Sequence, residues 1–117
     1  VGIIGFGRMG RFYWEAMTKS DGWNIAYICD TDPASRQLAK KLSPNSIIVE
    51  DNQKIFEDEK LCRLVGLFTL ADSLEWKQIE KAIRYGKHII SEKPVADTME
   101  NEWKVVEMAE VQMSFLR

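Results

Sequence analysis

The chain has 117 residues, of which 45% are hydrophobic, and a formal net charge of −2; these values predict one folded domain around one hydrophobic core and exclude a disordered chain. The slightly acidic balance leaves no basic field to draw in nucleic acid or an anionic membrane. Two isolated cysteines, Cys29 and Cys62, and one histidine, His88, are too few ligands for a zinc site, so no metal is expected, and no apolar run approaches the roughly 18 residues that span a bilayer.

In chain order, residues 1–4 are a short β-branched run that predicts a strand, followed at once by Gly5-Phe6-Gly7-Arg8-Met9-Gly10. Met9, Phe12, Ala16 and Met17 recur at helical spacing and predict a helix from Met9 to about Lys19. Asp21-Gly22 marks a turn, and residues 23–29 read as a second strand running up to Asp30. Asp32-Pro33 supplies an N-cap and a first-turn proline for a helix striped by Leu38 and Leu42 and stopped by Ser43-Pro44-Asn45. Residues 47–49 give a third strand, and Asp51 caps a brief helix carrying Ile55 and Phe56. Residues 64–68 predict a fourth strand. Asp72 or Ser73 then caps a helix with Trp76, Ile79, Ala82 and Ile83 on one face, closed by Gly86 in a left-handed C′ position. Residues 87–91 form a fifth strand ended by Glu92-Lys93-Pro94. Asp97-Thr98-Met99-Glu100 opens a last helix with Trp103, Val106 and Ala109 inward, and residues 111–115 alternate as a sixth strand would.

Near-continuously apolar strands joined by helices imply an α/β fold: a doubly wound parallel sheet of about six strands, with helices on both faces. The chain opens inside a strand-like run at Val1 and closes at Arg117 without a stop signal, so a longer protein is expected. No turn residue separates Glu110 from Val111, so either the last helix continues there or, the favoured reading, a connecting loop is missing. With no basic leader before an apolar stretch, the expected compartment is cytoplasmic.

A G-x-G-x-x-G pattern alone is weak, because glycines also mark ordinary turns. Here it follows a strand, opens an amphipathic helix and stands 20 residues before Asp30 at the end of the next strand. Gly5 permits the tight turn, Gly7 lets the backbone approach a pyrophosphate, and Gly10 lets helix and strand pack closely. The helix start offers unpaired N–H groups and its positive dipole end, so Phe6, Arg8 and Met9 join the glycines in the predicted phosphate site. Asp30, with Thr31 beside it, can accept hydrogen bonds from both hydroxyls of an adenosine ribose. Together these form a dinucleotide fingerprint, and the context disfavours the competing reading of a ligand-free glycine turn. A carboxylate in that place repels a 2′-phosphate, and no basic residue follows at Thr31 or Asp32, so NAD(H) is favoured over NADP(H). Arg36, one turn into the next helix, either bends back to a phosphate or lies on a solvated face, the plainer reading.

In an open parallel sheet, ligands bind outside the carboxyl ends of the strands. That rule sets Glu92 and Lys93 on the same edge as the glycine loop and Asp30. A lysine there can donate to a substrate oxygen and help move its proton during hydride transfer; a solvated strand-end ion pair is the bland alternative. His88 starts its strand far from that edge and reads as structural.

GFGRMG, Asp30, Thr69 and AIRYGKHIISEKPVA together resemble the Gfo/Idh/MocA oxidoreductases over nearly the whole chain. The resemblance implies that Lys93 is catalytic, beside the nicotinamide and the reacting carbon. It also implies that Glu92 and Pro94 shape the nicotinamide-ribose pocket and that Thr69 and Leu70 line the cofactor cleft. The family often has Thr-Pro where Thr69-Leu70 stand and a histidine near Tyr13. Further implications are a small-molecule substrate such as a sugar or polyol, a homo-oligomer, and a C-terminal α/β domain that holds the substrate. Residues 1–117 would then be the dinucleotide-binding domain alone. An oxidoreductase acting on CH–OH groups is the expectation. An NAD-dependent glycoside hydrolase of the same family, or a non-catalytic NAD sensor, would share these residues, since fold alone does not choose among them.

Overall fold

The computed structural model of the chain describes residues 1–68 and 75–91. Through them run strand β1 (Gly2–Ile4), helix α1 (Arg8–Lys19), β2 (Tyr27–Cys29), α2 (Pro33–Leu42), β3 (Ile47–Val49), α3 (Gln53–Glu57), β4 (Leu64–Leu67), α4 (Glu75–Arg84) and β5 (His88–Ser91). The strands form one parallel sheet in the order β3-β2-β1-β4-β5. This is the doubly wound arrangement expected from the sequence, with five strands among the described residues. The expected last helix, the sixth strand and the caps at Asp72 or Ser73 lie outside the described residues.

Successive strand residues face opposite sides of a sheet, and this alternation divides the core in two. Ile3 and Ile28 point to the side covered by α1 and α2, where they meet Phe6, Met17, Ala39 and Phe68. Ile4, Cys29, Val65 and Leu67 point to the other side and meet Ile55, Phe56, Ile79 and Ala82 from α3 and α4. Phe6 on one side and Phe56 on the other are sealed from solvent. At about 1.5–3 kcal/mol for each such side chain, neither face of the sheet can be left bare.

Local signals act as their chemistry requires. Asp32 accepts a hydrogen bond from Ala34 N at the start of α2, with Pro33 in the first turn. Asp51 accepts from Gln53 N at 2.7 Å, which ties the start of α3 from one residue outside its cap, Asn52. Gly86 (φ 69°) follows α4, and the N–H groups of Gly86 and Lys87 return to Ile83 O and Ala82 O, the paired bonds of a Schellman ending.

Two expectations are corrected. Helix α1 runs where predicted, but its inward stripe is Gly10, Tyr13, Trp14 and Met17; Ala16 is exposed, as are Met9 at 41% and Phe12 at 62%. Tyr13 stacks on Phe68 with ring centroids 4.4 Å apart, and Trp14 meets Phe6 edge-on at 6.1 Å. The aromatic rings therefore set the helix's rotation. Strand β2 covers only the end of the predicted 23–29 run. The carbonyls of Asn24 and Ile25 go to the Val1 amino group and the Ser46 hydroxyl rather than to a strand ladder.

Candidate functional site

In the order β3-β2-β1-β4-β5, the chain leaves β1 for one side of the sheet and later returns on the other, so β1 and β4 flank the switch point where open α/β sheets bind ligands. The glycine loop grows directly from β1 at this place. Gly5 takes φ 94°, a left-handed conformation that side chains resist, and its N–H donates to Cys29 O at 2.8 Å. A Cβ on Gly10 would stand 1.9 Å from Gly5 O, so only glycine lets α1 come this close to the strand end. Gly7 differs: a Cβ there would meet nothing within 4 Å. The space beside Gly7 is open, and this residue caps α1 with no side-chain bond to the first-turn N–H groups. The loop thus joins an open backbone surface to a positive helix end, which suits a phosphate.

Asp30 follows β2 on the same edge and is half-buried. Its carboxylate accepts from Phe6 N at 2.8 Å and from Asp32 N at 2.9 Å. Each oxygen keeps a lone pair for a further donor such as a ribose hydroxyl. Phe6 itself turns its ring into the core and spends its N–H on Asp30, so what it gives the site is a fixed link between the loop and the acid. Arg8, Met9 and Thr31 are exposed on this edge.

The structure therefore brings together eight of the residues singled out in the sequence: Gly5, Phe6, Gly7, Arg8, Met9, Gly10, Asp30 and Thr31. Thr69, Leu70, Glu92, Lys93 and Pro94 lie outside the described residues. The described strands β4 and β5 both run parallel to β1 and end on this edge, at Leu67 and Ser91. His88 stands at the opposite end of β5, as expected, but its side chain is exposed.

Arg36 folds back over the turn rather than pointing into solvent: its Nη1 donates to Asp30 O and Thr31 O, both at 2.9 Å. Lys87 carried no assigned role in the sequence. It is buried at the other end of the sheet, where Nζ donates to Asp58 O at 2.7 Å and to Cys62 O. The signal available was its position directly after the C′ glycine Gly86, where a side chain commonly packs back toward the last turn of the helix. Cys29 beside Asp30 is a buried thiol pushed up to about 11, by burial first and then by the charges of Asp30 and Asp51, so it packs as a small apolar group. Among the described residues no group of three or more histidine, cysteine or acidic side chains could hold a metal ion, and no helix is long and apolar enough to cross a membrane.

Known proteins carry the same architecture. The chain is 28% identical over 119 residues to glycosyl hydrolase family 109 protein 1 of Bacteroides thetaiotaomicron, covering 94% of this chain and 25% of that protein. Among solved structures it resembles apo scyllo-inositol dehydrogenase from Lactobacillus casei, with a TM-score of 0.85 at 25% identity, over 96% of this chain and 33% of that one. The WlbA dehydrogenase from Bordetella pertussis, solved with NADH and UDP-GlcNAcA, shares the fold with a TM-score of 0.84 at 23% identity, over 95% of this chain and 33% of that one. The chain thus spans about a quarter to a third of the length of these relatives. The Gfo/Idh/MocA family, described as an oxidoreductase family with an NAD-binding Rossmann fold, matches residues 1–116. The glycine loop, the acid after β2 and the sheet order agree with that match, and the chain belongs to the Gfo/Idh/MocA family as its NAD-binding Rossmann domain.

Proposed function

We propose that these residues serve an enzyme that transfers a hydride between NAD(H) and a carbon bearing a hydroxyl or carbonyl group, in a sugar, polyol or related small molecule. The observation that carries this reading is the meeting of the glycine loop and Asp30 at the switch point, with open space beside Gly7. The dinucleotide, when bound, supplies the hydride acceptor or donor. Residues Gly5 to Gly10 hold its pyrophosphate at the start of α1, and Asp30 with Thr31 takes the adenosine ribose. Thr69 and Leu70 after β4, and Glu92 and Pro94 after β5, extend the cleft toward the nicotinamide. Lys93 moves the proton of the reacting oxygen, the role open to a lysine at that strand end.

On this reading residues 1–117 are a single dinucleotide-binding domain, and residues outside them hold the substrate and make a homo-oligomer. With a net charge of −2 the domain has no use for nucleic acid or a membrane surface. The free, buried thiols of Cys29 and Cys62 suit the reducing cytoplasm, where we place the protein. The test is calorimetric: NAD(H) is expected to bind at least about tenfold tighter than NADP(H), about 1.4 kcal/mol. Equal or tighter NADP(H) binding overturns the cofactor assignment.

A second reading, a glycoside hydrolase that oxidises its substrate transiently and keeps NAD bound, is favoured by the likeness to a glycosyl hydrolase family 109 protein. Cofactor that copurifies and turnover without net release of NADH select it over the dehydrogenase.

A further inference from the structure

We propose that Arg36 is a positioning residue for the adenosine ribose, acting through Asp30, an inference that rests on the dinucleotide reading above. Asp30 is tethered at every polar group. Its N–H donates to Val49 O at 3.2 Å, and its carboxylate accepts from Phe6 N and Asp32 N. The fourth tether is Arg36, whose Nη1 donates to both Asp30 O and Thr31 O at 2.9 Å. Those carbonyls lie between the Asp30 N–H, held by Val49 O, and the Asp32 carbonyl, which accepts the first bond of α2 from Arg36 N, and no strand or helix N–H among the described residues reaches the two of them. A bond from a cation to a carbonyl is roughly twice as strong as a neutral one, and one nitrogen gripping two successive carbonyls fixes the turn. The turn in turn aims the carboxylate. Without the grip, the turn is held only through Asp30's own bonds to Val49 O, Phe6 N and Asp32 N, and the carboxylate keeps less strictly to the orientation from which it meets a diol.

This role differs from reading a phosphate, because Arg36 spends its grip on backbone. Loss of Arg36 is therefore expected to weaken the ligand that Asp30 favours and to spare the one it repels. It also differs from stacking or bidentate contact, for which lysine is a poor substitute; a clasp that uses one nitrogen is open to an ammonium group.

The experiment titrates NAD⁺ and NADP⁺ into the intact protein and into R36A, R36K, D30A and D30A/R36A, with the thermal midpoint of each. The expected result is about a tenfold loss of NAD⁺ affinity in R36A, NADP⁺ affinity within threefold, most of the loss restored in R36K, and a double variant no weaker than D30A. A larger loss for NADP⁺ than for NAD⁺ overturns the proposal in favour of direct phosphate contact. Unchanged NAD⁺ affinity in R36A with a lowered thermal midpoint overturns it in favour of a stabilising role only. An intact protein that binds neither dinucleotide defeats the reading of the whole site, a failure distinct from the other two.

Discussion

Gly7 and Gly10 stand three residues apart and do different work, and substitution separates them. Alanine at 10 would drive Cβ against Gly5 O, a backbone atom that cannot swing aside; overpacking of this kind costs about 1–3 kcal/mol. The G10A variant is expected to lower the denaturation midpoint and NAD affinity together. Alanine at 7 meets nothing within 4 Å, and Gly7 has an ordinary negative φ of −82°. G7A should leave stability within about 0.5 kcal/mol and still weaken NAD at least tenfold, because the methyl group occupies the ligand's space. Equal stability losses in the two would contradict this division. The catalytic proposal is tested by K93A in the full-length protein. NAD affinity should stay within a few-fold while turnover falls by about 10²–10⁴, the range for a positioned proton-transfer group; intact single-turnover hydride transfer would defeat the assignment. At this scale the sequence was informative where a residue has one job. The spacing of the glycines and Asp30 follows from strand and helix geometry and could be read directly. Arg36 could not, since a long side chain on a first helical turn reaches backbone, solvent or ligand with equal ease, and its partners are carbonyls that leave no mark in the sequence.

Among the elements, the 58–62 segment is held by polar contacts rather than by a regular ladder. Asp58 accepts from Lys60 N at 3.0 Å, Leu61 N at 2.8 Å and the Tyr27 hydroxyl at 2.7 Å, while Lys87 holds the carbonyls of Asp58 and Cys62. The N–H of Leu61 foremost, and then the Tyr27 hydroxyl, keep the Asp58 carboxyl below its usual range. A carboxyl whose folded pKa lies below its unfolded value adds stability that is fully present above the unfolded value, about pH 4, and is lost as pH falls through the folded one. D58N removes that charge and should lose the corresponding acid limb. Thermal midpoints of the two proteins between pH 7 and pH 2 are expected to converge toward low pH, and parallel curves would count against the assignment. The elements themselves were legible because caps and stops are local: Asp32-Pro33, Asp51 and Gly86 act within one turn. The rotation of α1 was not. Met9, Phe12 and Ala16 have a helical period, but so do Gly10, Tyr13 and Trp14 one residue along. Only the rings of Phe68 and Phe6 across the interface decide between them.

For the molecule as a whole, the parallel, doubly wound class of the sheet was legible from the alternation of strands and helices, whereas the switch point needed the strand order. That order has a consequence in time. β1 is paired on both sides, by β2 and β4, whereas β3 has only β2 beside it among the described strands. The loop assigned to phosphate grows from β1, but the amide of Asp30, the acid assigned to ribose, bonds to Val49 O at the end of β3. Edges are expected to open at lower free energy than centres, so the two ends of the candidate site should exchange their hydrogens on different clocks. In deuterated solvent the amides of Asp30 and β3 should label well before those of Ile3 and Ile4, and NAD should slow the first group far more than the second. Uniform slowing would refute this. If the clocks do differ, the phosphate end is the firm anchor of the site and the ribose end the part that a bound ligand steadies most.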